Sequence, residues 1–146
     1  MSREEQDQGE RKKKAINYQN NMEKKLRTHK DLEVWKNSVL FVTDVYKITK
    51  SFPSSEIYGL TNQIRRASVS IPSNIAEGSA RNSDKEYIQF LYISLGSLSE
   101  VETQFIISFN LGFINDMVLT EVTEKLLMIK AQLMGLIKYL KGRASE

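Results

Sequence analysis

The sequence predicts an all-α protein, an antiparallel up-and-down four-helix bundle with a kinked second helix, and three observations predict it. Apolar residues recur at spacings of three and four over four successive stretches. Each stretch is long enough for several helical turns and ends in a short segment of turn-forming residues. No stretch alternates with the period of two that a half-buried strand needs. Spacing by three and four also predicts shallow, left-handed crossings between neighbouring helices.

The first stretch places Leu32, Trp35, Val39, Val42 and Tyr46 on one side of a helix running from about 30 to 50. Ser51-Phe52-Pro53 ends it, because proline disfavours helical geometry in the residue before it. The second stripe is Ile57, Leu60, Ile64, Ala67, Ile71 and Ile75, on a helix over about 55 to 79. Pro72 lies within it, removes one backbone donor and crowds the Ser68 carbonyl, so a kink is expected there, with a break into two helices near Ser70 as the alternative. Gly78 suits its close. Ser83 and Glu86 form a capping-box pair that opens the third helix, about 84 to 110, with Tyr87, Leu91, Ser94, Leu98, Val101, Phe105 and Phe109 along one side. Gly96, between Leu95 and Leu98, predicts the close approach of another backbone. Asn115 or Asp116 caps the fourth helix, whose stripe is Leu119, Val122, Leu126, Ile129, Leu133, Leu136 and Leu140.

Two parts follow: a basic tail over residues 1–28, expected to be disordered or frayed, and the bundle over 29–143. The net charge of +3 belongs to the tail. Residues 1–27 hold eight basic and five acidic residues, whereas the remaining 119 carry 13 of each. Arg11, Lys12, Lys13, Lys14, Lys24, Lys25 and Arg27 are therefore the candidate nucleic-acid-binding residues, a solvated terminus being the plain alternative. No apolar run approaches the roughly 20 residues of a membrane span, and no signal-peptide pattern opens the chain, so a cytoplasmic protein with no membrane partner is expected.

Little in the sequence supports catalysis. Helical bundles that hold two metal ions use inward glutamates and Glu-x-x-His motifs, but His29 is the single histidine and precedes the first helix. Glu100 and Glu102 sit about 200° apart on a helix and cannot work as a pair on one face. There is no cysteine, and no phosphate-binding loop or activated serine. The expectation is a non-enzymatic protein without cofactor or metal.

Around the second helix, Gln63, Arg66, Ser70, Ser73, Asn74 and Glu77 fall about 180° to 280° from Ile64, away from the core stripe. Short hydroxyl and amide side chains on an outer face suit a subunit interface or a ligand groove. The alternative is a kinked helix whose serines satisfy carbonyls around Pro72.

Three segments carry a resemblance: FP-x2-E-x-YGL at 52–60, QIRRASVSIPSNIAEGSAR at 63–81 and LGSLSEVET at 95–103. Over about residues 29–141 the chain closely resembles the four-helix-bundle proteins encoded in intervening sequences of bacterial large-subunit ribosomal RNA genes, also called ribosomal-protein-like. These are related to the accessory variability determinant of retroelements. The resemblance implies a ring-shaped homopentamer, itself as first partner, and ribosomal RNA or another nucleic acid as a second. It marks Arg65, Arg66, Ser70, Pro72, Asn74, Glu77, Gly78 and Arg81, none catalytic. The candidate interface is accordingly Arg65, Arg66, Ser70, Ser73, Asn74, Glu77 and Arg81. A protein-interaction module with no nucleic-acid role is the competing function.

Overall fold

The chain begins with reciprocal capping: the Ser2 N–H donates to Glu5 Oε2 (2.8 Å), and the Glu5 N–H donates to Ser2 Oγ (3.3 Å). The helix that follows, α1, spans Arg3–Leu26 in a computed structural model that describes residues 2–26 and 28–144, with side chains for all of these except 19–26 and 144. The sequence expectation for this region is a disordered segment or a frayed helical lead-in, and the structure has a helix over Arg3–Leu26. Local terms explain it. Acidic Glu4 and Glu5 occupy the first turn and oppose the helix dipole, Arg11 pairs with Asp7 one turn earlier at 2.8 Å, and the composition is rich in straight-chain helix formers. No apolar face is needed, and among the described residues α1 packs on no other helix.

Thr28 caps a single 3₁₀ turn at His29–Asp31, with the Asp31 carboxylate accepting in return from the Thr28 N–H. Then come α2 (Glu33–Thr49), α3 (Leu60–Ser79), α4 (Asp84–Asn110) and α5 (Asp116–Ala144). The protein is all-helical, and no strand occurs among the described residues. No helix among them is long and apolar enough to cross a membrane.

Helices α2 to α5 close around one core: α2 packs on α3 and α5, and α4 packs on α3 and α5. Contacts between them run in opposite order along the paired helices. Asn37 meets Gln132 while Asp44 meets Lys125, and Ser70 meets Ser97 while Gly78 meets Phe90. The core is filled by Phe41, Phe105 and a run of buried Ile, Leu and Val, including Ile64, Ile71, Ile75, Leu91, Ile129 and Leu133. Pro72 is buried inside an uninterrupted α3, so the break near Ser70 does not occur.

Two expectations shift by position. On α2 the buried line is Val34, Ser38, Phe41, Val45 and Thr49, one residue back from the apolar stripe and so turned by about 100°. Ser38 and Thr49 can lie inside because their hydroxyls donate to the carbonyls of Trp35 (2.9 Å) and Val45 (2.7 Å). The second shift concerns glycine. Gly96 is exposed and a Cβ there would meet nothing within 4 Å, so no part of this chain approaches it. The close approach is at Gly78, where a Cβ would lie 2.7 Å from Phe90 Cβ and 2.8 Å from Tyr87 Cδ2.

The ends of α4 and α5 are locked in place. After α4, Gly112 takes φ +78°, its N–H donates to the Phe109 carbonyl and the Phe113 N–H reaches Ser108. This is a Schellman closure, which a Cβ would strain. It delivers Phe113 onto Phe52, with ring centroids 5.4 Å apart. Asn115 Oδ1 then accepts from the Val118 N–H at 2.9 Å and caps α5. At the far end of α5, Arg143 grips Asp84 through two bonds of 2.6 and 2.8 Å. The guanidinium holds the Asp84 carboxyl below its ordinary value of 3.8, and the carboxylate pushes Arg143 up. A carboxyl with a depressed folded pKa stabilises the fold above its unfolded pKa and loses that contribution as pH falls through the folded one. Asp84→Asn should therefore lower the urea midpoint at pH 7, with the gap to wild type narrowing as pH drops below 3.8. A gap that stays constant into strong acid would contradict the pairing.

Candidate interaction faces

The three segments that carry the family resemblance can be followed side chain by side chain. In the first, the Glu56 carboxylate folds forward and accepts from the Leu60 N–H at 3.1 Å, capping α3 from four residues upstream. Gly59 is small where a Cβ would stand 2.8 Å from Glu56 Oε2, and Phe52 is buried on Phe113. Nothing in the apolar spacing signals this cap. The glutamate is visible only as part of the motif.

In the second segment, most of the polar residues serve the packing of α3. Arg65 Nε donates to Thr49 Oγ1 at 2.9 Å, and its guanidinium lies 4.6 Å from the Tyr46 ring centroid, tying α3 to α2. Ser70 Oγ and Ser97 Oγ share a hydrogen bond of 2.8 Å across α3 and α4. Asn74 Nδ2 donates to both the carbonyl and the hydroxyl of Ser70, at 2.8 and 2.9 Å. Ser94 Oγ reaches over from α4 to the Ile71 carbonyl at 2.9 Å. Small side chains let the two helices come close, and these bonds satisfy what the closeness buries. Arg81 pairs with Glu77 at 3.0 Å and lies over the Phe90 ring, 4.7 Å from its centroid.

Of the seven candidate interface residues, the structure thus turns Ser70 and Asn74 into the α3–α4 seam and Arg65 towards α2. Arg66, Ser73, Glu77 and Arg81 remain exposed. The geometric reason is that α3 has neighbours on both flanks. The band of about 180° to 280° from Ile64 is outer only over its first part, and its second part faces α4.

What remains open on that side is a surface of mixed character. Tyr58, Asn62, Gln63, Arg66, Ser70 and Glu100 border a hollow of about 490 Å³, and Tyr58 is 93% exposed. Val69 of α3 and Ile93, Ile106 and Ile107 of α4 are exposed on the same pair of helices. Bare Gly96 lies on the outer side of α4, between Ile93 and Glu100. Gln104, one turn past Glu100, is buried, and its Oε1 finds no hydrogen-bond partner within the chain. Ile93, Ile107 and Tyr58 leave open apolar surface beside the hollow, the kind of surface that marks a candidate contact region.

The second candidate surface is α1. Lys12, Lys13 and Lys14 are exposed, and Arg11 is paired with Asp7. Four consecutive residues spaced by about 100° put positive charge on nearly every side of the helix. The side chains of Lys24 and Lys25, and Arg27 as a whole, lie outside the described residues. His29 stacks edge-on against Trp35, with centroids 5.1 Å apart, and no cluster that could hold a metal occurs among the described residues.

Comparison with known proteins places the helical region in a family. The profile of a family described as 23S rRNA-intervening sequence protein matches residues 30–135. A solved structure of a protein of unknown function from the S23 ribosomal protein family of Bacteroides thetaiotaomicron superposes with a TM-score of 0.67 at 23% identity, covering 72% of this chain and 95% of that one. At that identity the likeness shows a shared helical fold. No curated protein matches the chain.

Proposed function

The chain belongs to the 23S rRNA-intervening sequence protein family, and from that premise we propose that it is a non-enzymatic, self-associating helical bundle of the cytoplasm whose basic α1 contacts ribosomal RNA. The finer fold is part of the same reading: α2 to α5 form an antiparallel up-and-down bundle kinked at Pro72, which the opposite order of their cross-helix contacts supports. The observation that carries the self-association is the outer α3–α4 face. It offers Tyr58, Ile93 and Ile107, a polar hollow with Arg66 and Glu100 on its rim, and a bare Gly96 where a second copy's backbone fits. In this reading, following the family resemblance, the assembly is a homopentamer, a ring built from one repeated contact.

RNA contact through α1 is electrostatic in this reading, because the bundle itself has no net charge and the excess lies in residues 1–27. The neutral bundle equally favours a second reading, a protein-interaction module that never touches nucleic acid. Changing Arg11, Lys12, Lys13 and Lys14 to glutamine in the full chain separates them. Binding of a ribosomal RNA fragment should fall by at least tenfold in 50 mM salt, and wild-type binding should weaken steeply by 200 mM. Equal retention of RNA by wild type and variant, at either salt, would remove α1 from the proposal.

A further inference from the structure

Charge on α5 is ordered in a way the neutral total conceals. From Lys125 to Arg143 it carries Lys125, Lys130, Lys138, Lys141 and Arg143 and no acidic residue. Cations near a helix C-terminus oppose the dipole, which accounts for the order but not for the aromatic rings among them. Tyr139 is 61% exposed with the Arg143 guanidinium 5.5 Å from its centroid, and Tyr92 of α4 is 47% exposed with Lys141 Nζ 5.3 Å from its centroid and 2.8 Å from its hydroxyl. On α5 itself, Gly135, Lys138, Tyr139, Gly142 and Arg143 border a hollow of about 590 Å³. Lys138 has no ion-pair partner among the described residues.

We propose that the last two turns of α5, with Tyr92 of α4, form a contact surface for single-stranded nucleic acid, in which Tyr139 and Tyr92 stack bases and Lys138 holds phosphate. This rests on the reading of the protein as RNA-associated and adds a site distinct from α1. The physical case has three parts. The Tyr139 ring has the Arg143 guanidinium on one side and keeps its other side for a base, while Lys141 holds Tyr92 by its hydroxyl and leaves the Tyr92 ring faces to stack. Gly135, exposed on the outward side of α5 with nothing within 4 Å of a Cβ, leaves space for a sugar-phosphate backbone. Unpaired positive charge beside exposed rings is the combination that unstructured strands recognise without reading sequence, whereas a protein partner or a duplex gains nothing from the rings.

The test compares two anionic probes on the full chain by fluorescence anisotropy and competition: a labelled 15-nucleotide oligoadenylate, and inorganic polyphosphate, which has the charge but no bases. Tyr139→Ala combined with Tyr92→Ala should weaken oligoadenylate about tenfold or more and leave polyphosphate within twofold. Lys138→Glu should weaken both. All three positions are outside the core, so the variants should keep the wild-type far-ultraviolet circular dichroism spectrum at the temperature of the binding assay. Unchanged oligoadenylate affinity in the tyrosine variant overturns the site, and if the α1 glutamine variant has meanwhile lost binding, the RNA reading survives without it. Equal loss of both probes in the tyrosine variant would mean that the rings act only by placing the cations, which also overturns base stacking. A wild-type chain that binds neither probe overturns the site and the RNA reading together.

Discussion

Gly78→Leu is expected to lower the stability of the fold by about 3 kcal/mol, at the upper end of what overpacking a close-packed seam costs. Even the first added carbon would sit 2.7 Å from Phe90 Cβ, which is fixed to the α4 backbone, and 3.3 Å from the Tyr87 carbonyl oxygen. Neither neighbour can rotate away. Gly78→Ala should also destabilise, because the clash outweighs the helix propensity that alanine gains, about 1 kcal/mol in an interior turn. Urea unfolding followed by circular dichroism measures both. An unchanged midpoint for Gly78→Ala would show that α3 and α4 separate easily at this end, contrary to the packing described.

Gly96 inverts that outcome and gives the second large effect. Within the chain a Cβ at Gly96 meets nothing, so Gly96→Ala should stabilise the isolated bundle by about 0.5–1 kcal/mol through helix propensity alone. If a second copy packs on this face, bulk at the same position must interfere with it. Gly96→Trp is expected to leave the far-ultraviolet spectrum unchanged and to weaken self-association by 100-fold or more, since an indole holds two helical backbones apart. Loss of helix in this variant would place Gly96 inside the fold, against its exposure.

The two glycines also mark what the sequence can and cannot reveal. A glycine in a helix signals either a close neighbour or open space, and spacing alone does not distinguish them. Gly96 predicts the close approach of another backbone and no part of this chain supplies it, whereas Gly78, expected merely to close α3, is the one pressed against Phe90. Helix limits were more legible, because they depend on local chemistry. Ser83 caps α4 through a 3.2 Å bond from the Glu86 N–H, Asn115 caps α5, and the stripes of α4 and α5 are buried largely where the periodicity places them. The stripe of α2 was misplaced by one residue because Ser38 and Thr49 count as polar in a pattern yet satisfy themselves on their own helix. α1 is legible only as one alternative, a frayed helical lead-in, for the opposite reason, since capping and charge order specify it with no apolar face. The outer position of Arg66 and Ser73 follows from helical geometry, but the turn of Ser70 and Asn74 into the α4 seam depends on where the neighbouring helix lies.

The measurement closest to the central claim is the solution mass of the wild-type chain and of Gly96→Trp by multi-angle light scattering at matched concentrations. A self-associating outer α3–α4 face predicts a wild-type mass that is a multiple of the 16.8 kDa chain, fivefold if the assembly is the family's ring, and a mass close to one chain for the variant. A wild-type chain that runs as a monomer, or a variant that keeps the wild-type mass, would contradict it.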